Sequence, residues 1–295
     1  MVTQEDIAAP AVAGVPPLNV GGLSTLEILG VLFFAMLVIC IYREGRHPFR
    51  KRRAPEALRS YGVNLASFLF NDFTLWMLSV PTIYFIADGY SAWGLLSGLE
   101  DWPAKFLLCF VLLDFTMFAW HYACHHSNLL WNVHRLHHSD PDLNVTTGLR
   151  YHPGELILEV LVRSAFMVAI GVDLEVLLGC QAIVSLFVLF HHTNTVLPGE
   201  HWLAWVLIVP RLHRVHHSVN RSEHDSNYGA VFSFWDRLLG SLKELEPARI
   251  GLDSNGNSTA GEWIKDWLNG HPGFAKATGA VAIPVRGSSH YRRHD

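Results

Sequence analysis

Residues 131–138 read WNVHRLHH and residues 210–217 read PRLHRVHH, so the HxxHH pattern of His134, His137 and His138 returns at His213, His216 and His217. In a helix, positions i, i+3 and i+4 share one face, so each copy is expected to aim its three imidazoles the same way. Upstream, His121 and His125 have the HxxxH spacing that lets two imidazoles grip one ion. Fourteen of the 18 histidines fall within 121–152 and 191–224, so the enrichment is local rather than compositional. Lone histidines such as His47 and His201 read instead as packing or surface residues.

Outward from these groups the chain becomes apolar in blocks. Half of the 295 residues are hydrophobic and 16% are charged, well below the roughly 25% usual in soluble domains. Residues 24–42 and 61–87 are each long enough to match the ~20 residues that cross a bilayer. Residues 103–120 form a shorter span containing Asp114, and 155–171 with 172–190 read as a helical hairpin turning near Gly171-Val172-Asp173. Glu159 and Arg163 are i, i+4 on the first arm and are expected to pair, which turns that arm towards protein. The fold class expected is all-α: an integral membrane helical bundle with four to five transmembrane segments and a cytoplasmic histidine-rich helical cap.

Charge orients this bundle. Residues 43–60 carry seven Arg or Lys against two Glu, whereas 88–102 carry three acids and no Arg or Lys. By the positive-inside rule the first loop is cytoplasmic and the second outside, which brings His121 and the end of the hairpin to the same cytoplasmic face. Residues 1–23 then form an N-terminal extracytoplasmic segment, 24–250 the membrane domain, and 251–295 a C-terminal amphipathic segment and loose tail. The short runs 201–209, with Trp202 and Trp205, and 262–268 suit a membrane interface. His290 and His294 fall in the tail and are not expected as ligands. A formal charge of −4 gives no reason to expect nucleic acid. The four cysteines form no CxxC and read as reduced packing residues. Without a basic n-region beside Glu5 and Asp6, no cleaved signal peptide is expected.

The HxxxH pair, the two triplets and His192 supply nine imidazoles, enough for two ions with about four each and an open position. Imidazole suits Fe, Zn, Cu and Ni, so ligand type alone names no metal. Neither HxxHH contains the carboxylate base of an HExxH zinc hydrolase, and the groups lie beyond the spans rather than along a transport path. His126 points about 100° away from His125 and is not expected to share its ion.

These residues and their order resemble the sterol desaturase / fatty acid hydroxylase superfamily. The resemblance is carried by Asp114…His121-x3-His125, Leu-Trp-x-x-His134-x2-His137-His138-Ser, and Thr-x-x-Arg150-x-His152-Pro153-x-Glu155. It continues in His192-x-Asn194, His213-Arg-Val-His216-His217, Asp225-x-Asn227-Tyr228-Gly229 and Trp235-Asp236-Arg237-Leu-Leu-Gly, and so covers about 61 to 245. Position 122 is Tyr where many members have Arg, position 126 is His where relatives are often acidic, and His191 stands beside His192, leaving two candidates for one ligand.

The resemblance implies a dinuclear non-haem centre of two Fe ions, O2 as co-substrate, and hydroxylation of an unactivated C–H bond of a fatty acyl, sterol or related lipid. Desaturation by the same centre is the alternative, and a non-enzymatic membrane metal-binding protein a further one. Electrons would come from a separate donor of ferredoxin, cytochrome b5 or reductase type. Asp114, Asn194, Asp225 and Asn227 are candidates to orient the imidazoles by accepting their outer N–H, with Asn227-Tyr228-Gly229 equally readable as a turn. His152, His191, Arg150 and Arg237 form a second tier. The two arginines suit either a lipid headgroup or salt bridges to Glu155 and Asp236.

Overall fold

A computed structural model describes residues 25–252. Among them the chain is helical without a named strand; only isolated bridges, such as Leu207 with Phe232, pair extended backbone. The N-terminal segment, the run 262–268 and the tail histidines lie outside the described residues.

Helix α1 (Thr25–Arg46) ends with Arg43 and Arg46 in its last turn, where cations complement the helix dipole. Helix α2 (Ala54–Met77) then stops short of the expected span over 61–87 and is followed by the short α3 (Thr82–Asp88). Leu75 accepts from the Val80 N–H and Trp76 from the Ser79 N–H, with Ser79 at φ 53°. That is a left-handed helix stop, and Pro81 beyond it cannot continue the ladder. The two pieces are bent 58° apart, so the stretch is a broken span and not a straight one.

Helix α4 (Trp102–His126) is capped by Asp101, whose side chain accepts from the Ala104 N–H. At 25 residues it is roughly 37 Å long, enough to cross the hydrocarbon and carry His121 and His125 out at its end. Ser127 caps α5 (Asn128–His138), which bears the first HxxHH. The hairpin follows as α6 (Pro153–Ile170), capped by His152, and α7 (Leu174–His192), capped by Asp173. Three helices, α1, α4 and α7, are long and apolar enough to cross a membrane, and a fourth span results if α2 and α3 count as one. The charges of α6 set it apart, and it runs beside them with Glu155 and Glu159 buried. The chain is an integral membrane protein.

The core lies between α4, α6 and α7, where Leu113, Met117, Phe166, Met167, Val176 and Leu177 pack together. At the far end the hairpin turn meets the loop after α3. Leu95 and Leu96 donate to the carbonyls of Ala169 and Ile170. A Cβ at Gly94 would stand 2.0 Å from the Gly171 nitrogen, so only glycine permits that approach.

The histidine end is held by buried polar groups. Glu44 accepts from the N–H groups of Val145 and Asn194 at 2.8 and 2.7 Å and from the Tyr61 hydroxyl. Asp140 accepts from Ser60, Asn64 and Thr147. Burial alone would push the Asp140 carboxyl up, but the Arg150 charge and these bonds hold it below the usual carboxylate range. The short helices α8 (Glu200–Leu203), α9 (Pro210–His216), α10 (Arg221–His224) and α11 (Phe234–Leu239) close this end, with α9 bearing most of the second HxxHH. Trp202 and Trp205 are exposed, as an interfacial segment requires.

Candidate metal centre

Four elements deliver the nine imidazoles into two groups. His121 and His125 of α4, His134 and His138 of α5 and His216 of α9 each offer a ligand atom within 4.8 Å of the others. His137 of α5, His192 at the end of α7, His213 in the middle of α9 and His217 just past its last residue form the second set. The HxxHH triplets therefore do not each serve one site. Positions i and i+4 go to one group and i+3 to the other, because on a helix i+3 and i+4 lie about 100° apart. The two copies do this crosswise. The first gives its pair to the five-membered group and its third ring to the four-membered one; the second does the reverse.

The inner ring nitrogens converge. His121 Nε2 lies 3.1 Å from His134 Nε2, which lies 3.2 Å from His138 Nε2. In the other group, His137, His192, His213 and His217 form a chain of Nε2–Nε2 distances of 3.0, 2.9 and 3.1 Å. The outer nitrogens explain why these are not ordinary hydrogen bonds. His121 Nδ1 donates to the Tyr228 carbonyl at 2.8 Å, His137 Nδ1 to that of Arg150 at 3.3 Å, and His192 Nδ1 to that of Val188 at 2.6 Å. His216 Nδ1 donates to the Ser226 carbonyl at 2.7 Å. A carbonyl only accepts, so each of these rings carries its proton outside and turns a bare lone pair inwards.

Two lone pairs 3.0 Å apart, as at His137 and His192, repel unless a cation lies between them. An ion bonded to both nitrogens at about 2.1 Å would relieve that repulsion. The donor set thus fits a metal in each group. His125 Nε2 and His216 Nε2 are buried without a protein partner, as ligands awaiting an ion would be.

Burial keeps these rings neutral and competent to bind. His138, His216 and His217 are fully buried. Desolvation pushes His134 down to about 4 and holds His137, His138, His213, His216 and His217 well below the ordinary imidazole value. Two carboxylates touch outer nitrogens. Glu155 Oε1 accepts from His134 Nδ1 at 2.6 Å, and Asp225 Oδ1 from His125 Nδ1 at 3.2 Å, with Arg221 on the other Asp225 oxygen at 3.1 Å.

Of the four residues expected to orient imidazoles, Asp225 alone touches a ring. Asp114 instead accepts from the Val231 and Phe232 N–H groups and from Trp235 Nε1 at 2.9, 3.3 and 2.8 Å. It fastens the loop whose Tyr228 carbonyl holds His121. Asn194 exchanges hydrogen bonds with the Arg50 backbone and anchors the loop after α1. Asn227, at φ 55°, is the turn residue, and its amide bridges the carbonyls of Leu212 and Lys243.

Arg150 is buried and donates to Asn64 at 3.3 Å beside Asp140. Arg237 bonds the Ala204 carbonyl, stacks on Trp205 and pairs with Glu244, not Asp236. His152 caps α6. His191 belongs to neither group, and its ring packs 4.0 Å from that of His213. Glu155 is the contact that sequence reasoning missed. It stands in the His-Pro-x-Glu motif, where the sequence offers it only as one of two alternatives for Arg150. The four carbonyls left no sequence signal, since every residue has one.

A cavity of about 280 Å³ opens against both groups, touching His121, His134 and His137 as well as His192 and His213. Its other walls come from α1, α2, α4, α6 and α7, including Phe33, Phe68, Met117, Leu156 and Val184.

Fold and site together define a helical membrane protein with a polyhistidine centre of metal-ligand geometry beside an apolar cavity. Residues 106–241 match the fatty acid hydroxylase family, in keeping with the resemblance that the histidine motifs carry. It is 31% identical to ornithine lipid hydroxylase OlsE of Rhizobium tropici over 48% of this chain and 44% of that one. It is 29% identical to alkylglycerol monooxygenase of Xenopus tropicalis over 77% of this chain and 50% of that one. Lathosterol oxidase of Rattus norvegicus is 24% identical over 72% of this chain and 71% of its own. The chain thus spans half or less of the first two relatives. No solved structure matches it significantly.

Proposed function

We propose that this chain is a membrane-bound di-iron oxygenase that hydroxylates an unactivated C–H bond of a lipid with O2 and electrons from a separate donor. The observation that carries the reading is the cavity wall shared by both imidazole groups, which would present one apolar substrate to two ions at once. His121, His125, His134, His138 and His216 would hold one iron, and His137, His192, His213 and His217 the other. Bound there, the pair supplies the O2 chemistry that no side chain can perform.

The protein's own part is binding and exclusion. Phe33, Phe68, Leu156 and Val184 take up hydrocarbon and keep water out. Glu155 and Asp225 fix the rings of His134 and His125, and Glu155 shares the proton at His134 Nδ1. Residues 24–250 form the functional unit, with the histidine end on the cytoplasmic face of a bacterial inner membrane. The basic 43–60 segment supports that orientation, because its Arg50 is tied to Asn194 just beyond the last residue of α7.

The test is lipid mass spectrometry of cells expressing the chain under 18O2. A labelled oxygen gained by a lipid, and lost with His137→Ala, supports hydroxylation. Loss of two hydrogens without label would mean desaturation by the same centre. An unchanged lipid profile, with purified protein holding a single zinc, would overturn the oxygenase reading.

A further inference from the structure

The cavity beside the histidine groups is not uniformly apolar. Gln181 lines it from α7, 11 residues before His192 and so roughly 16 Å along that helix. Arg163 lines it from α6, eight residues past Glu155, roughly 12 Å along. Apart from Glu155 Oε2 and the Nδ1 atoms of His191 and His213 at the histidine end, four buried atoms on lining residues have no protein partner: Trp120 Nε1, Arg163 Nε, Gln181 Oε1 and Asn71 Oδ1. Within a membrane-embedded bundle such groups are costly unless something completes them.

Their chemistry selects the ligand. Two are N–H donors and two are carbonyl acceptors. Carboxylates and ethers only accept, and ammonium groups only donate, so neither type answers all four. Charge argues the same way. The Arg163 guanidinium is already neutralised by Glu159 at 2.5 Å, and Asp72 also lines the cavity, so among the described residues an anionic headgroup finds no free cation there.

We propose that the cavity binds a neutral lipid through a hydroxyl group, held in the polar part of the cavity by Gln181 and Arg163. Its hydrocarbon lies between that hydroxyl and the histidines. Gln181 is then a specificity-determining residue, and the C–H bond presented to the metal groups is remote from the hydroxyl. The consequence for where oxygen is inserted rests on the oxygenase reading; the binding preference does not.

The test is thermal unfolding of the full chain in detergent micelles, with and without iron, in the presence of 1-hexadecanol, hexadecanoic acid, hexadecylamine or n-hexadecane. The alcohol should raise the unfolding temperature most. Gln181→Leu should weaken the apparent alcohol affinity about tenfold, the effect of one lost hydrogen bond to a group then left unpaired, while metal content stays normal. Gln181→Met, closer to glutamine in length, supplies a second arm should Gln181→Leu fail to fold. Equal stabilisation by all four probes, as expected if water alone completes these atoms, would overturn the proposal. So would an unchanged alcohol titration in both variants. Failure to bind iron would remove the oxygenase reading but leave the alcohol preference to be judged by itself.

Discussion

His137 and His192 face each other with Nε2 atoms 3.0 Å apart while the outer nitrogen of each is committed to a backbone carbonyl. Two acceptors at that distance have the spacing of a ligand pair, and the same Nε2–Nε2 approach recurs at His121 and His134. Outer hydrogen bonds of this kind set the tautomer at six of the nine rings, those of His121, His125, His134, His137, His192 and His216.

Because the groups are separate, single substitutions should remove ions one group at a time. His137→Ala is expected to deplete the four-histidine group, and His216→Ala the five-histidine group, each retaining metal in the other. Metal analysis of purified variants checks this. If either variant kept full occupancy, its histidine would not be a ligand.

Glu155 tests the outer tier. Glu155→Ala removes the acceptor on His134 Nδ1, leaving a buried N–H unpaired, and is expected to weaken metal binding about 10- to 100-fold. Glu155→Gln keeps an acceptor oxygen and should recover part of that loss. Competition with a chelator gives the ratio; equal affinities for both variants would make the hydrogen bond irrelevant.

Acid should destabilise the metal-free protein. His134 is neutral when folded, with its value pushed down to about 4 from an ordinary 6.5, so between those values the unfolded chain binds more protons than the folded one. Stability is then full above about 6.5, falls as pH drops towards 4, and levels off below. The other buried rings outside the spans add in the same direction and outnumber Glu155, whose carboxyl, raised to about 8 by burial, contributes with the opposite sign. Unfolding midpoints of apo-protein from pH 7.5 to 5 measure the slope, and a flat profile would contradict neutral burial.

Asp114 is expected to act on stability first and metal second. Asp114→Ala strips the acceptor from two backbone N–H groups and Trp235 Nε1, a loss of roughly 2–4 kcal/mol. Released, the loop no longer fixes the Tyr228 carbonyl under His121. Denaturant midpoints together with metal content separate the two effects; loss of metal at unchanged stability would place Asp114 nearer the ions than its hydrogen bonds do.

Much of the site was legible from spacing, because i, i+3 and i+4 histidines at the ends of apolar helices have few other uses. The division between groups was not. Whether His137 joins His134 or His192 depends on where α7 and α9 stand around α5. The Asp and Asn residues flanking the histidines suggested ring-orienting roles, but three of them turned out to fasten loops. Carbonyls do the orienting at four rings, and a carbonyl has no residue type to read.

Hydrophobic length and helical period are local properties of the chain, so an apolar all-helical bundle and nine clustered imidazoles follow from residue order alone. How those imidazoles divide, which partners hold six of their outer nitrogens, and which polar atoms of the cavity lack partners emerge from the folded arrangement. These depend on distances between residues far apart in sequence, such as His121 and Tyr228 or Arg163 and Gln181, and packing sets such distances where spacing cannot.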